Sequence, residues 1–224
     1  QSLHFKQLFD SIKFFEFNNL HHEHISYGTL NDSDGNPFKT RDGGTKPLSE
    51  LFEETYEYIK NINSDLEDSI IKQLANSVLT FSDLITNRKT DYKFDLEKFT
   101  NVNGKTGIYV QYAQVRAKKL QQSIAERKNE MENIVLSDVD KQLLSQLFMF
   151  GYFLEQSSSL NEPHHLANYL YDISNSFNQF YEHEKLSEIK DINHLSSKLY
   201  LINLFLTTSE NVMFCLGMKP VDKM

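Results

Sequence analysis

The chain has 224 residues, room for one large domain or two small ones. Its 31 acidic and 23 basic residues leave a net charge of −8, which excludes a uniformly basic nucleic-acid domain, while 39% hydrophobic and 12% aromatic residues exclude disorder over the whole length. With 8 glycines and 4 prolines it is no collagen-like or turn-dense all-β chain, and its most apolar run, Leu199–Leu206, is far too short to span a bilayer.

The chain opens on Gln1, without a methionine or a charged, apolar leader, which predicts no secretion signal and a piece of a longer protein. From Gln1 to Phe17 the residues Leu3, Phe5, Leu8, Phe9, Ile12 and Phe15 recur at helical spacing. His21-His-Glu-His24 offers four metal donors in a row, but adjacent side chains diverge, so it reads as a polar segment. His24 to Leu30 alternates like a short strand; Asn31-Asp-Ser-Asp-Gly35 is a dense turn signal, and Lys39-Thr-Arg-Asp-Gly-Gly44 is a cationic loop. Such a loop can wrap nucleotide phosphates, because its charges neutralise phosphate and glycine lets the backbone approach; a solvated surface turn is the plainer alternative.

Beyond this point the pattern is helical. Pro47 opens a helix to about Lys60 that is acidic in its first turn. Ser64-Asp-Leu-Glu67 predicts a capping box for the next helix, with Ile70, Ile71, Leu74, Val78 and Leu79 on one face. Asn87 to Gly107 breaks the pattern. Within it, Gly104-Lys-Thr106 is no P-loop, since the motif's first glycine would have to stand at Phe99. Four helices follow: from Tyr109 to about Met131, Asp138–Ser157, Pro163–Tyr181 and Ile192–Leu216. The single cysteine, Cys215, forms no internal disulfide and suits a reducing compartment; between Phe214 and Leu216 it reads as a core residue.

Two patterns on these helices suit RNA. Arg116, Lys118, Lys119, Arg127 and Lys128 outnumber Glu126, and Tyr112 lies four residues before Arg116, on the same helical face. An aromatic beside cations is what a surface for phosphates and unstacked bases uses; an amphipathic helix with a basic exposed face has the same spacing. Tyr181, followed by Glu182-His-Glu-Lys185, ends the apolar stripe Leu166–Tyr169–Leu170–Ile173–Phe177–Phe180, where an aromatic ring is partly exposed.

Taken in order, several strings resemble the second half of bacterial arginyl-tRNA synthetases: His4-Phe5, His24-x-x-Tyr27-Gly28, Asp34–Gly44, Leu48-x-x-Leu51-Phe52, Asn87–Asp95, and Gly104-Lys-Thr-Gly-x-Tyr-x-Gln-Tyr-Ala-x-x-Arg116. Pro163–His183 and the close, Leu216–Met224, are similar to that family's helical anticodon-binding domain, so the resemblance covers essentially the whole chain. It implies a mainly α fold, in which a small α/β remnant of the class I (Rossmann-like) catalytic domain spans residues 1–46. A helical stem-contact region follows at 47–115 and the helical anticodon-binding bundle at 116–224.

The activity so implied is ligation of arginine to tRNA(Arg) with ATP and Mg2+, through an arginyl-adenylate, by a cytoplasmic, monomeric enzyme that needs no membrane. Residue by residue, Lys39, Thr40 and Arg41 match the signature loop over the ATP triphosphate, with Gly43 and Gly44 beside them. His24, Tyr27 and Gly28 match the strand facing adenine, and Gln1 a residue that holds L-arginine. Tyr112, Arg116, Tyr181 and Lys185 match positions that meet tRNA. Three features depart from the family: Pro37 and Phe38 stand where the class I motif has lysine and methionine, Lys105 stands for asparagine, and no His-x-Gly-His string occurs. The chain alone is therefore expected to be inactive. A different reading is a non-catalytic helical module that binds RNA or a protein through the same C-terminal surface.

Overall fold

A computed structural model describes residues 2–16, 20–31, 47–124 and 133–224. Nine α-helices and one two-stranded parallel sheet lie among these residues. Helix α1 (Ser2–Phe14) has the predicted periodicity but buries no residue; its Phe5 and Phe9 rings meet His24 and His22, with centroids 4.5 and 5.7 Å apart. The strand expected over 24–30 shrinks to β1 (Leu30–Asn31), which pairs with β2 (Tyr92–Lys93) in register Leu30–Tyr92 and Asn31–Lys93. Residues 21–29 are extended chain without a ladder, held instead by Arg88 and Asp91 as described below.

Helices α2 (Leu48–Ile62) and α3 (Asp68–Leu84) pair through Tyr56, Ile59, Ile70, Ile71 and Leu74, with Leu79 left half-buried at the edge. The capping box predicted at Ser64–Glu67 does not form. Ser64 donates instead to Asp65 at 3.3 Å, and α3 starts at Asp68, whose carboxylate is held by the Tyr56 hydroxyl and by Lys72 at 2.7 Å. That arrangement lowers the Asp68 carboxyl pKa, the Lys72 hydrogen bond being its largest cause. After the short α4 (Leu96–Phe99), α5 (Gly107–Ile124) begins where only glycine leaves room: a Cβ at Gly107 would lie 2.2 Å from the Ser77 carbonyl oxygen of α3. Helix α5 runs unbroken through position 115.

The C-terminal bundle packs α5, α6 (Asp138–Phe148), α8 (His164–His183) and α9 (Ile192–Cys215) around Val110, Ala113, Leu143, Tyr169, Ile173, Phe177 and Phe205. Complete burial of such side chains stabilises by roughly 1.5–3 kcal/mol each relative to exposure, so this stripe is what holds the bundle together. The single helix expected over Asp138–Ser157 is two, because the chain turns at Met149 before α7 (Phe150–Leu160). The turn lets Phe153 stack on Tyr169 at 4.9 Å, and the buried Tyr169 hydroxyl lies 3.1 Å from each of the carbonyl oxygens of Gln146 and Leu147, which also accept the Met149 N–H. Helix α6 carries its own capping box, Ser137 with Asp140.

Helix α9 ends in a Schellman turn. Gly217 takes φ +74°, Met218 N–H reaches the Met213 carbonyl at 2.8 Å and Gly217 N–H the Phe214 carbonyl at 3.1 Å. Cys215, expected in the core, is exposed beside the exposed Phe214, since Val212, Met213 and Leu216 form the inward face there. The tail then returns across α5. Gln111, fully buried, donates to Ser77 and to the Lys219 carbonyl and accepts from the Val221 N–H at 2.9 Å. No helix of the described residues is long and apolar enough to cross a membrane.

Candidate functional site

Helices α5 and α8 cross so that Tyr112, Arg116 and Tyr181 meet at the surface. The Arg116 guanidinium carbon lies 4.3 Å from the Tyr112 ring centroid and 4.9 Å from that of Tyr181. One Arg116 nitrogen donates to the Asn178 side-chain oxygen at 3.1 Å, and Glu182 stands 3.8 Å away. Tyr112 and Tyr181 keep 36% and 39% of their surface, so each ring is fixed by the cation yet offers π-surface to solvent. Spacing brought Tyr112 and Arg116 together; the structure adds Tyr181 from a helix 65 residues further on in sequence. Asn178 and Glu182 were not anticipated, because nothing in a helical pattern marks a polar residue as a neighbour of an arginine on another helix.

Beside Tyr181 a hollow of about 500 Å³ opens between the ends of α5 and α8. Leu120, Ile124, Phe180 and Leu186 form its apolar floor, while Ser123, Glu184 and Lys185 stand at its edges. Lys185 is largely exposed and pairs with Glu188 at 3.4 Å, a surface ion pair worth little to stability. Beneath it lies a charge cluster that the sequence did not reveal. Lys198 and Asp140 are both fully buried, 2.7 Å apart, and Lys198 also stands 3.5 Å from Glu184 and 4.8 Å from the Phe180 ring centre. His194 faces the same carboxylates, 3.5 Å from Glu184 and 3.9 Å from Asp140. Of the basic segment beginning at Arg116, Lys118 is spent on Asp222 at 2.7 Å, Lys119 is exposed, and Arg127 and Lys128 lie outside the described residues.

The residues expected on the ATP side divide differently. Gln1, Lys39, Thr40, Arg41, Gly43 and Gly44 lie outside the described residues. His24 packs on Phe5, and Tyr27 is 76% exposed at the mouth of a groove of about 290 Å³ shared with Gly28, Asn87, Arg88 and Pro163. Gly28 is a glycine for a reason of packing: a Cβ there would sit 2.7 Å from the Thr90 carbonyl carbon and oxygen. Its N–H donates to the Arg88 carbonyl at 2.5 Å, and Thr29 N–H donates to the Asp91 carboxylate at 2.6 Å. The Arg88 side chain donates to the Ser26 carbonyl and, at 2.8 Å, to the Asn161 carbonyl, so one arginine ties residues 26–28 to the turn between α7 and α8.

Comparison with known proteins accounts for both halves of this arrangement. Residues 110–224 match the family of the DALR anticodon binding domain, and residues 1–96 match the catalytic domain of class I (R) tRNA synthetases. The fold thus falls in the class I synthetases with a helical anticodon-binding domain. The arginine–tRNA ligase of Francisella tularensis subsp. novicida is 36% identical over 202 residues, covering 85% of this chain and 35% of that protein. The ligase of Alcanivorax borkumensis is 34% identical, covering 100% of this chain and 40% of its own length. The chain belongs to the arginyl-tRNA synthetase family. It spans little more than a third of the length of these relatives. Solved arginyl-tRNA synthetases from Thermus thermophilus (TM-score 0.78, 21% identity, 90% of this chain and 35% of that one) and Plasmodium falciparum (TM-score 0.74, 24% identity, 99% and 39%) share the fold.

Proposed function

We propose that this chain serves as the tRNA-binding and ATP-loop portion of an arginine–tRNA ligase, acting in the cytoplasm as a monomer. The observation that carries this reading is the pair of half-exposed tyrosines fixed over Arg116, on the very region that matches an anticodon-binding family. Exposed rings stack on unpaired bases of any sequence, and the adjoining hollow is large enough to receive a flipped base. Lys185 at its rim and Lys119 on α5 supply cations for phosphates. The overall charge of −8 does not oppose this, since only the local potential must be positive where phosphates approach.

In the complete ligase, arginine and ATP would form an arginyl-adenylate with loss of pyrophosphate, and the 3′ ribose of tRNA(Arg) would take up the arginyl group. Lys39, Thr40 and Arg41 are our candidates for holding the triphosphate, Gly43 and Gly44 for letting the loop close, and Gln1 for the substrate arginine. His24, Tyr27 and Gly28 would present backbone to adenine. Their contribution is positioning and neutralisation of charge rather than covalent chemistry. Magnesium would arrive on the ATP phosphates. Among the described residues the one group of metal-ligating side chains is Glu162, His164 and His165, whose two imidazoles do not suit the oxygen shell that Mg2+ takes.

Arg41→Ala in the complete ligase is expected to slow adenylate formation while leaving tRNA affinity nearly intact. A charge-assisted contact is worth roughly 1.5–3 kcal/mol, hence a loss of about 10- to 150-fold in arginine-dependent pyrophosphate exchange. Exchange at the wild-type rate would remove Arg41 from the phosphate site.

A further inference from the structure

The turn between α7 and α8 gathers three side chains that the RNA-binding surface and the ATP side do not use. Asn161 ends α7 in the left-handed conformation, φ +52°, Glu162 follows, and Pro163 leads into the first turn of α8 with His164 and His165. Neighbouring residues on a helix ordinarily diverge, yet here the two imidazole rings lie 4.1 Å apart, centre to centre. A carboxylate oxygen of Glu162 is 3.4 Å from Nε2 of His165. One ligand atom from each of Glu162, His164 and His165 lies within 4.8 Å of the other two. All three residues are partly buried.

These spacings are close to those a metal ion imposes. Ligands about 2.0–2.2 Å from zinc at tetrahedral angles are about 3.3–3.5 Å from one another, so the Glu162–His165 pair is already at that separation and His164 has a short distance to move. A second observation points the same way. Nδ1 of His164 is buried and has no hydrogen-bond partner, a state that costs free energy unless something donates to it or coordinates it.

We propose that Glu162, His164 and His165 form a binding site for one zinc-class divalent ion, at the junction of α7 and α8. Two imidazoles and a carboxylate are the donor set that borderline ions such as Zn2+ and Co2+ prefer over Mg2+ or Ca2+, with a fourth position left to water. On its other side Glu162 meets Asn87 and Lys89, the latter at 3.5 Å. Lys89 and the positive start of α8 both oppose a cation, so the affinity belongs in the micromolar range rather than that of closed structural zinc sites. The bound ion would lock the Asn161–Glu162 turn, to which Arg88 ties residues 26–28. The His21–His24 run, by contrast, shows no such convergence: His22 packs on Phe9 and His24 on Phe5.

The test uses the 224-residue chain stripped with a chelator and titrated with Zn2+ against a chromogenic competitor, and with Co2+ followed by its visible absorption. One ion is expected per chain, with a dissociation constant on the order of micromolar, and zinc at 100-fold excess over that constant should raise the melting temperature by about 5–10 °C. His165→Ala and His164→Ala should each weaken binding at least about 10-fold and abolish the cobalt bands, whereas the double change His21→Ala, His22→Ala should alter neither. Circular dichroism checks that the variants are folded, and Glu162→Gln, which keeps shape and hydrogen bonds, gives a second route should a histidine variant unfold. Absence of binding at 100-fold above micromolar zinc overturns the site. So does binding that survives the His164, His165 and Glu162 changes, or that disappears with His21 and His22.

Discussion

Tyr181→Ala is expected to weaken the binding of tRNA(Arg) to this chain by about 5- to 150-fold, the effect of losing base–aromatic stacking worth about 1–3 kcal/mol. Its ring is 39% exposed and the Tyr169–Ile173–Phe177 stripe beneath it is complete without it, so the melting temperature should fall by no more than a few degrees. The dependence of affinity on salt should be unchanged, because no phosphate contact is removed. Arg116 provides the internal comparison. Its guanidinium lies over both tyrosine rings and already has Asn178 and Glu182 as partners. Arg116→Lys preserves the charge but not the flat face that stacks, and should weaken binding with the salt slope intact. If Arg116 instead neutralised one phosphate, Arg116→Ala would flatten that slope by about one unit and Arg116→Lys would restore it. Affinity measured at two salt concentrations for the three variants, beside a melting curve for each, separates stacking, phosphate contact and loss of fold.

Lys198→Ala is expected to have the largest effect on stability of any single change considered. Removing it leaves the Asp140 carboxylate fully buried with its cation gone and Glu184 without its inner partner. Breaking a buried pair costs about 3–5 kcal/mol, which for a chain of this size corresponds to a fall in melting temperature of about 6–20 °C. Asp140 cannot simply turn outward, because its second oxygen accepts the Ser137 N–H at 2.9 Å and starts α6. The double change Lys198→Met, Asp140→Asn should recover most of the loss, since it removes both charges while the amide oxygen can still cap the helix. A scan showing Lys198→Ala within a degree or two of wild type would mean that water reaches this cluster. His194 is the next basic side chain, 3.9 Å from Asp140.

How much of this was legible in the sequence follows from which forces act locally. Helices with a long apolar stripe were read correctly in kind and place, because burial of one face is written into residues such as Leu166, Tyr169, Ile173 and Phe177 of α8. The break at Met149 was not legible: the Tyr169 hydroxyl that meets the carbonyls of Gln146 and Leu147 there comes from another helix. The capping box at Ser64 failed for a similar reason, as Tyr56 and Lys72 draw Asp68 into the start of α3. Cys215 was misplaced because an apolar neighbourhood in sequence says nothing of which side of a helix faces in. At the site, Tyr112 and Arg116 were predictable as an i, i+4 pair, whereas Asn178 and the Lys198–Asp140 pair depend on how α5, α6, α8 and α9 cross. The signature-loop candidates Lys39, Thr40 and Arg41 were marked by a cationic, glycine-flanked loop and by resemblance, and lie outside the described residues.

The central claim, that α5 and α8 present a surface for the anticodon loop, has a direct test in the affinity of this chain for two RNAs. One is tRNA(Arg); the other is the same tRNA with its anticodon nucleotides exchanged for those of another amino acid, leaving length, fold and phosphate charge unchanged. Each mismatched base at a reading site costs on the order of 1–3 kcal/mol, by analogy with base mismatches in protein–DNA sites, so the exchanged tRNA should bind at least about 10-fold more weakly at the same salt concentration. Equal binding of the two would contradict the account and leave the surface around Tyr112, Arg116 and Tyr181 with a role other than reading tRNA.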